Sequence, residues 1–295
     1  MRRTLVALAG CALFAGPLAP PPLLAAPQAS PAQAPLTVDV LSKGSSSLLG
    51  IRKAKSAVPV ARMHPTSQQA VRGVLKDLSI YRQLPDIRCE ADPRVVTFFL
   101  DNPEVAVGIW RALGVSDVTM KRTGQNTFHA DDGHGSYGDL SVVYRDAGQQ
   151  VLYCDGTFLN PVSKKPIRAR AVIHFRHRAE RGRDGRAFDR HDATMFVSLP
   201  SNTVEAVARA ISPVSNRLAD RNFEEVSLFI RMMSVAMTNR PDWVGSLSAR
   251  LSTVGEEQRR GLSHLAATLH QESGPTRTRP DRPPIRTAGE GQMVR

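Results

Sequence analysis

The sequence predicts an α+β protein: an antiparallel meander of about five or six strands, covered by a long C-terminal helix and preceded by short helices. Three observations carry this. After Gly114, short segments rich in Val, Tyr, Phe and Thr alternate with turn clusters. One of them, Ile167 to Arg178, alternates between an apolar and a basic face, with Val172 as the exception. Past Asp220, apolar residues recur at steps of three and four over a long stretch.

The elements follow in chain order. Thr66 or Ser67 caps a helix whose Val71, Val74, Leu75 and Leu78 share a face. Asp92-Pro93 places a cap before a proline at the first helical position, opening a helix through Phe98, Phe99 and Leu100. Asn102-Pro103-Glu104 repeats the signal, with Val105, Ile109 and Ala112 on one face and Gly114 as the stop.

The predicted strands are Val118–Arg122, Thr127–Ala130, Asp139–Tyr144, Gln150–Phe158, Ile167–Arg178 and Phe188–Leu199. The turns between them all hold Gly, Pro, Asn or Asp, and most are too short for a parallel crossover. In the fifth strand Ile167, Ala169, Ala171, Ile173 and Phe175 point one way. Arg168, Arg170, His174, Arg176 and Arg178 point the other way with Val172. In the sixth, Ala193, Met195, Val197 and Leu199 share a face that needs a cover. A helix capped at Ser201 or Asn202 and stopped near Pro213 comes next. Then a longer one begins at Asp220, with Phe223, Val226, Ile230, Met233 and Met237 at helical spacing and Leu228, Phe229 and Met232 widening the stripe. A weaker helical region spans Asp242 to Leu269, with Leu262, Leu265 and Leu269 on one side.

The ends bound the domain. Met1 to Ala26 reads as a secretory signal, with Arg2 and Arg3 ahead of an apolar run from Leu5 to Phe14. That run is shorter than the roughly 20 residues a spanning helix needs. Periplasmic or extracellular export is expected, with anchoring through Cys11 of Leu8-Ala9-Gly10-Cys11 as the lesser alternative. Residues 27–64 read as a flexible spacer, 65–240 as the folded domain, 241–272 as a helical extension and 273–295 as a disordered basic tail. Beyond the leader only Cys89 and Cys154 remain. The sequence leaves open whether they pair or stay as buried thiols.

The formal charge is +12, and residues 164–190 alone hold ten Lys/Arg against three Asp/Glu. Such a patch suits an anionic envelope surface, and export disfavours nucleic acid. No transmembrane helix is expected.

No catalytic motif is legible. The stretch "FHADDGHGSYGDL" offers His129, Asp131, Asp132 and His134 as metal ligands, but the spacing matches neither His-Glu-x-x-His nor an EF-hand start. It reads as a hairpin connection, and no metal or cofactor is expected. No Gly-x-Ser-x-Gly elbow is present, and adjacent His191 and Asp192 on a strand face opposite ways.

This element order over Asp92 to Arg240 resembles the START-like "helix-grip" superfamily. There, strands curve around a long terminal helix and leave a cavity between helix and sheet. The chain departs from it in lacking an obvious first strand; Ile80 to Cys89 is the candidate, broken by Pro85. The stretches "YRQLPDIRCEADP", "NPEVAVGIWRALGVS" and "LADRNFEEVSLFI" are similar to pieces of a family of exported bacterial proteins with no assigned function. The superfamily resemblance implies a non-enzymatic protein holding a lipid or other apolar ligand against Phe223, Val226, Phe229, Ile230, Met233 and Met237. The alternative is an envelope protein docking anionic surfaces through Arg168, Arg170, Arg176 and Arg178, with no cavity.

Overall fold

A computed structural model describes residues 36–159, 166–200 and 213–274. The expected leader with Cys11, the predicted helix over 201–211 and the expected tail beyond 274 lie outside these residues.

One antiparallel sheet of nine strands organises the fold: eight follow the order β1-β3-β9-β8-β7-β6-β5-β4, and the ninth, β2, pairs with β9 beside β3. The six predicted strands are all present, as β4 (Thr119–Gly124), β5 (Thr127–Asp131), β6 (Tyr137–Asp146), β7 (Gln149–Leu159), β8 (Pro166–Arg181) and β9 (Ala187–Ser198). They form the expected meander, each hydrogen-bonded to the next.

The three additional strands come from the N-terminal side, so the expectation of five or six was too low. Residues around Pro85 supply β2 (Ile80–Gln83) and β3 (Asp86–Glu90). Both lie along the free side of β9: Ile80 opposite Val197, and Cys89 opposite Asp189. Proline lacks an N–H and interrupts the ladder between them. A short β1 (Asp39–Ser42) continues the sheet beyond β3. The strand before the helices therefore pairs with the last strand, and the topology is helix-grip-like.

Helices cover both faces. On one side lie α3 (Pro93–Asp101), α4 (Pro103–Ala112), α5 (Pro213–Asn239), α6 (Pro241–Ala249) and α7 (Glu256–Ser273). The predicted capping holds at α3, where the Asp92 carboxylate accepts from Arg94 N–H at 2.8 Å. Helix α5 starts at Pro213 rather than Asp220, because proline is tolerated in a first helical turn. The main core lies between these helices and the sheet. Ile173, Met195 and Val197 of the sheet meet Phe99, Ile109, Trp110, Ile230 and Met237.

The opposite face carries a smaller core under α2 (Pro65–Lys76), in which Val71, Val74 and Leu75 cover Val151, Val172 and Phe196. Part of the expected spacer is thus structured. Helix α1 (Leu48–Ala57) and a 3-10 turn at Val60–Arg62 lead into α2. Val58 and Met63 are buried in the smaller core and anchor that stretch, which its Ser, Gly and Lys content concealed.

Cys89 and Cys154 are both buried. Cys154 lies across from Ala171, and Ala171 across from Val197. Cys89 lies across from Asp189, eight residues further along β9. At roughly 3.4 Å per residue, strand length alone separates the two levels by about 27 Å. A disulfide needs Cα atoms within about 7 Å.

Candidate functional site

Helix α5 carries both features that stand out. One is an apolar groove on its outer side and the other a polar chain on its inner side.

The groove has a volume of about 550 Å³ and is lined by Phe229, Met232, Met233, Val235 and Ala236 of α5. Leu113 after α4, Trp243 of α6 and Leu36 complete its apolar wall. Its floor is buried, with Phe229 set edge-on against Phe99 and Trp110 at 5.2 and 5.3 Å between ring centroids. Its walls are open: Met232, Val235 and Trp243 are 46%, 38% and 42% exposed. Such side chains normally bury 1.5–3 kcal/mol worth of apolar surface. One end of the groove is polar, closed by Asn239 and Arg240. Arg240 has no carboxylate partner among the described residues, and it sits where α5 gives way to α6.

The predicted ligand stripe divides. Phe229 and Met233 reach the groove. Ile230 and Met237 are buried in the main core. Phe223 and Val226 are partly buried against the same core. Helical geometry explains the split: the stripe was read as one face, but steps of three and four drift around a 27-residue helix. Met232 and Val235 fall on the solvent side of the drift. They and Trp243 form the open wall; the predicted stripe included Met232 but neither Val235 nor Trp243.

The inner side of α5 carries a Ser–His–Asp chain. His191 Nδ1 lies 2.7 Å from Asp189 Oδ1, and His191 Nε2 lies 2.8 Å from Ser227 Oγ. Asp189 also takes a second histidine, with His177 Nδ1 at 3.3 Å from Oδ2. Sequence reasoning set His191 against Asp192, its neighbour on the opposite face. The true partner is two residues earlier, and the Asp-x-His spacing on a strand was the available signal. Burial pushes Asp189 up, but the hydrogen bonds from His177 and His191 outweigh it and hold its carboxyl below the usual range.

This chain is built as a tie rather than as a nucleophile. Ser227 is 1% exposed, and its hydroxyl donates to the Phe223 carbonyl at 2.8 Å. The same Oγ lies against His191 Nε2, so the hydroxyl is held from both sides within the core. Phe175 and Phe223 pack around the imidazole at 5.7 and 5.6 Å. Nearby Cys89 is no better poised: burial, then the Asp189 charge, push its thiol up to about 12.

The other predicted sites are spread apart. Along β8, Arg168 pairs with Asp155 at 3.1 Å, Arg176 with Asp192 at 2.5 Å and Arg178 with Glu180 at 2.8 Å. Arg170 bonds the Tyr153 side chain. Arg168 and Arg170 also line a cleft of about 890 Å³ with Asp77, Leu78, Ser79, Ser198 and Leu199.

The Asp-Asp-Gly-His-Gly turn uses its own acids. Asp131 accepts from Gly133 N–H, and Asp132 from His134 and Ser136 N–H. His129 bonds Asp139 across the ladder at 2.8 Å. Among the described residues no three His, Cys, Asp or Glu converge to hold a metal ion, and no helix is long and apolar enough to cross a membrane.

No protein-family model matches the chain, and no curated protein is detectably similar to it.

Proposed function

We propose that this is an exported, non-enzymatic binding protein with a helix-grip-like fold that holds a lipid or another apolar ligand on α5, outside the helix–sheet interface where the START-like resemblance would place it. The binding place is the groove between α5, α6 and the end of α4, on the side of the helix turned away from the sheet. The observation that carries the reading is the open ring of Met232, Val235 and Trp243 around the buried floor of Phe229 and Met233. A volume of about 550 Å³ lies within the usual range of small-ligand sites. Methionines give such a wall an adaptable surface. Unpaired Arg240 at the polar end suits the head of an anionic amphiphile, such as a fatty acid or an acidic lipid.

The β8 arginines give less support to the envelope-docking alternative, since the charges of Arg168, Arg176 and Arg178 are each met by a carboxylate.

Trp243 supplies the test. The chain has two tryptophans, and the other, Trp110, is buried. Titration with a long-chain fatty acid should shift emission to the blue, and Val235→Lys should abolish the shift while leaving the melting temperature in place. Native mass spectrometry of the purified protein should show bound lipid. No shift and no bound mass would overturn the reading.

A further inference from the structure

Positive charge without a carboxylate partner is concentrated on the N-terminal lobe. Residues 43–76 hold seven Lys/Arg and no Asp or Glu. Among the described residues only Arg62 finds a carboxylate there, Asp146 at 3.2 Å. Lys43, Arg52, Lys53, Lys55, Arg72 and Lys76 form no ion pair with any described residue.

The same lobe carries the most exposed large apolar side chains described. Leu48 is 81% exposed and Leu49 94%. They begin α1, which buries none of its own residues. The helix still has a defined inner side. Gly50 sits so close to Tyr81 that an added Cβ would come within 3.1 Å of its hydroxyl. Ala54 packs against the smaller core. That orientation turns Leu48, Leu49, Arg52, Lys53 and Ser56 outward together. Residues four apart on a helix are neighbours, so Leu48 stands beside Arg52 and Leu49 beside Lys53.

We propose that α1 is a membrane-docking element that seats Leu48 and Leu49 at the acyl boundary of an anionic bilayer, with Arg52 and Lys53 against lipid phosphates. Charge complementarity selects the partner: a surface with no acid of its own is attracted to anionic lipid, and the leucines require something apolar beneath the charge. A nucleic acid or another hydrophilic polyanion would satisfy the cations but leave both leucines in water. Two leucines and a few cations give weak, reversible attachment, unlike a spanning helix. The inference stands apart from the α5 groove, which lies on the other side of the sheet.

The experiment is sedimentation of the full chain with phosphatidylcholine vesicles, with and without phosphatidylglycerol. To cancel any contribution of the apolar run near the N-terminus, the readout is the anionic-to-neutral ratio of partition coefficients for the charge variant and, for the leucine variant, anionic partitioning relative to the unaltered chain. Arg52→Gln with Lys53→Gln should lower that ratio about tenfold or more. Leu48→Ser with Leu49→Ser should lower partitioning onto the anionic vesicles by a comparable factor. Neither pair should move the melting temperature, because all four side chains face solvent. Val235→Lys should leave vesicle binding intact, which separates this proposal from the groove. A ratio near one for the unaltered chain would overturn it. So would loss on removing the charges with none on removing the leucines, the result expected of an acidic protein or a polyanion.

Discussion

Asp189 and Ser227, one on the last strand and one on the longest helix, grip the same imidazole, that of His191, at its two nitrogens. The connection spans 36 residues between His191 and Ser227 and passes through the main core. It sets the register of α5 on the sheet, because neither nitrogen has a second partner to turn to. Ser227→Ala leaves a buried ring nitrogen without its partner and should cost about 1–3 kcal/mol in urea unfolding. Asp189→Asn removes the charge that both histidines face and should cost more, about 3 kcal/mol. A double-mutant cycle between the two should show coupling well above zero.

A second tie joins the sheet to α5 near its other end. Arg82 of β2 forms a bidentate ion pair with Asp220, its Nε at 3.1 Å from Oδ1. Gly44 lies against the pair, and an added Cβ would fall 2.4 Å from the same carboxylate oxygen. Both side chains are largely buried, so Asp220→Ala strands a guanidinium and should cost about 3–5 kcal/mol. Gly44→Ala should destabilise as well, by displacing the carboxylate. Thermal melts of the two variants check both.

His174 makes stability depend on pH. It is buried, its Nε2 meets Gln149 Oε1 at 2.7 Å, and its Nδ1 has no partner. Burial, with Arg176 adding to it, pushes the imidazole down from 6.5 to about 4. The unfolded chain therefore binds a proton that the folded chain refuses between pH 6.5 and about 4. Stability is full above 6.5 and falls as pH drops through that window, by about 3 kcal/mol in all. In His174→Gln this part of the pH slope should vanish. An unchanged slope in urea melts from pH 7 to about 4 would place the dependence on other groups.

The thiols should be silent in the native state. With Cys89 pushed up to about 12 and both cysteines buried, neither should react with an aromatic disulfide reagent at pH 8 until denaturant is added. Electrophoretic mobility with and without reductant should be the same for the folded domain. Fast labelling of Cys89 in the folded protein would contradict the burial described.

Gly138 and Gly156 face each other across β6 and β7, and a Cβ on Gly138 would lie 2.7 Å from the Gly156 Cα. The obstacle is backbone, which has no rotamer to offer. Gly138→Ala should destabilise by about 1–3 kcal/mol. The same substitution at Gly133, which has a positive φ of 71° but open space, should cost only the backbone strain, about 1 kcal/mol.

The meander was legible because period-two alternation and short Gly/Asn/Asp turns are local signals. Ile167 to Phe175 showed its dry face in the sequence itself, and those residues line or pack against the main core. What lay hidden was non-local. Nothing near Ile80 or Cys89 announces pairing with Val197 or Asp189, and Pro85 argues against a single strand there. Helix α1 was missed because its largest apolar residues, Leu48 and Leu49, face outward and it buries none of its residues fully, so it lacks the one-sided burial that marks a domain helix. At the groove, Phe229 and Met233 were legible as part of a stripe. Trp243 and Leu113 were not, since their convergence depends on how three helices meet. The Asp189–His191 pair had a readable spacing, but Ser227 on a helix 36 residues later did not.

The pairing of β2 and β3 with β9 also bears on how the chain reaches its fold. Ile80 meets Val197, Arg82 meets Asp220, and Asp92 N–H meets the Ser234 hydroxyl 142 residues on. None of these contacts exists until most of the polypeptide has been made. Closing such long loops is slow, and until then the free side of β8 and an unpaired Ile80–Glu90 segment stand open to other chains. A ribosome-bound fragment ending before β9 should therefore remain sensitive to protease, and completion of the domain should come as one late step.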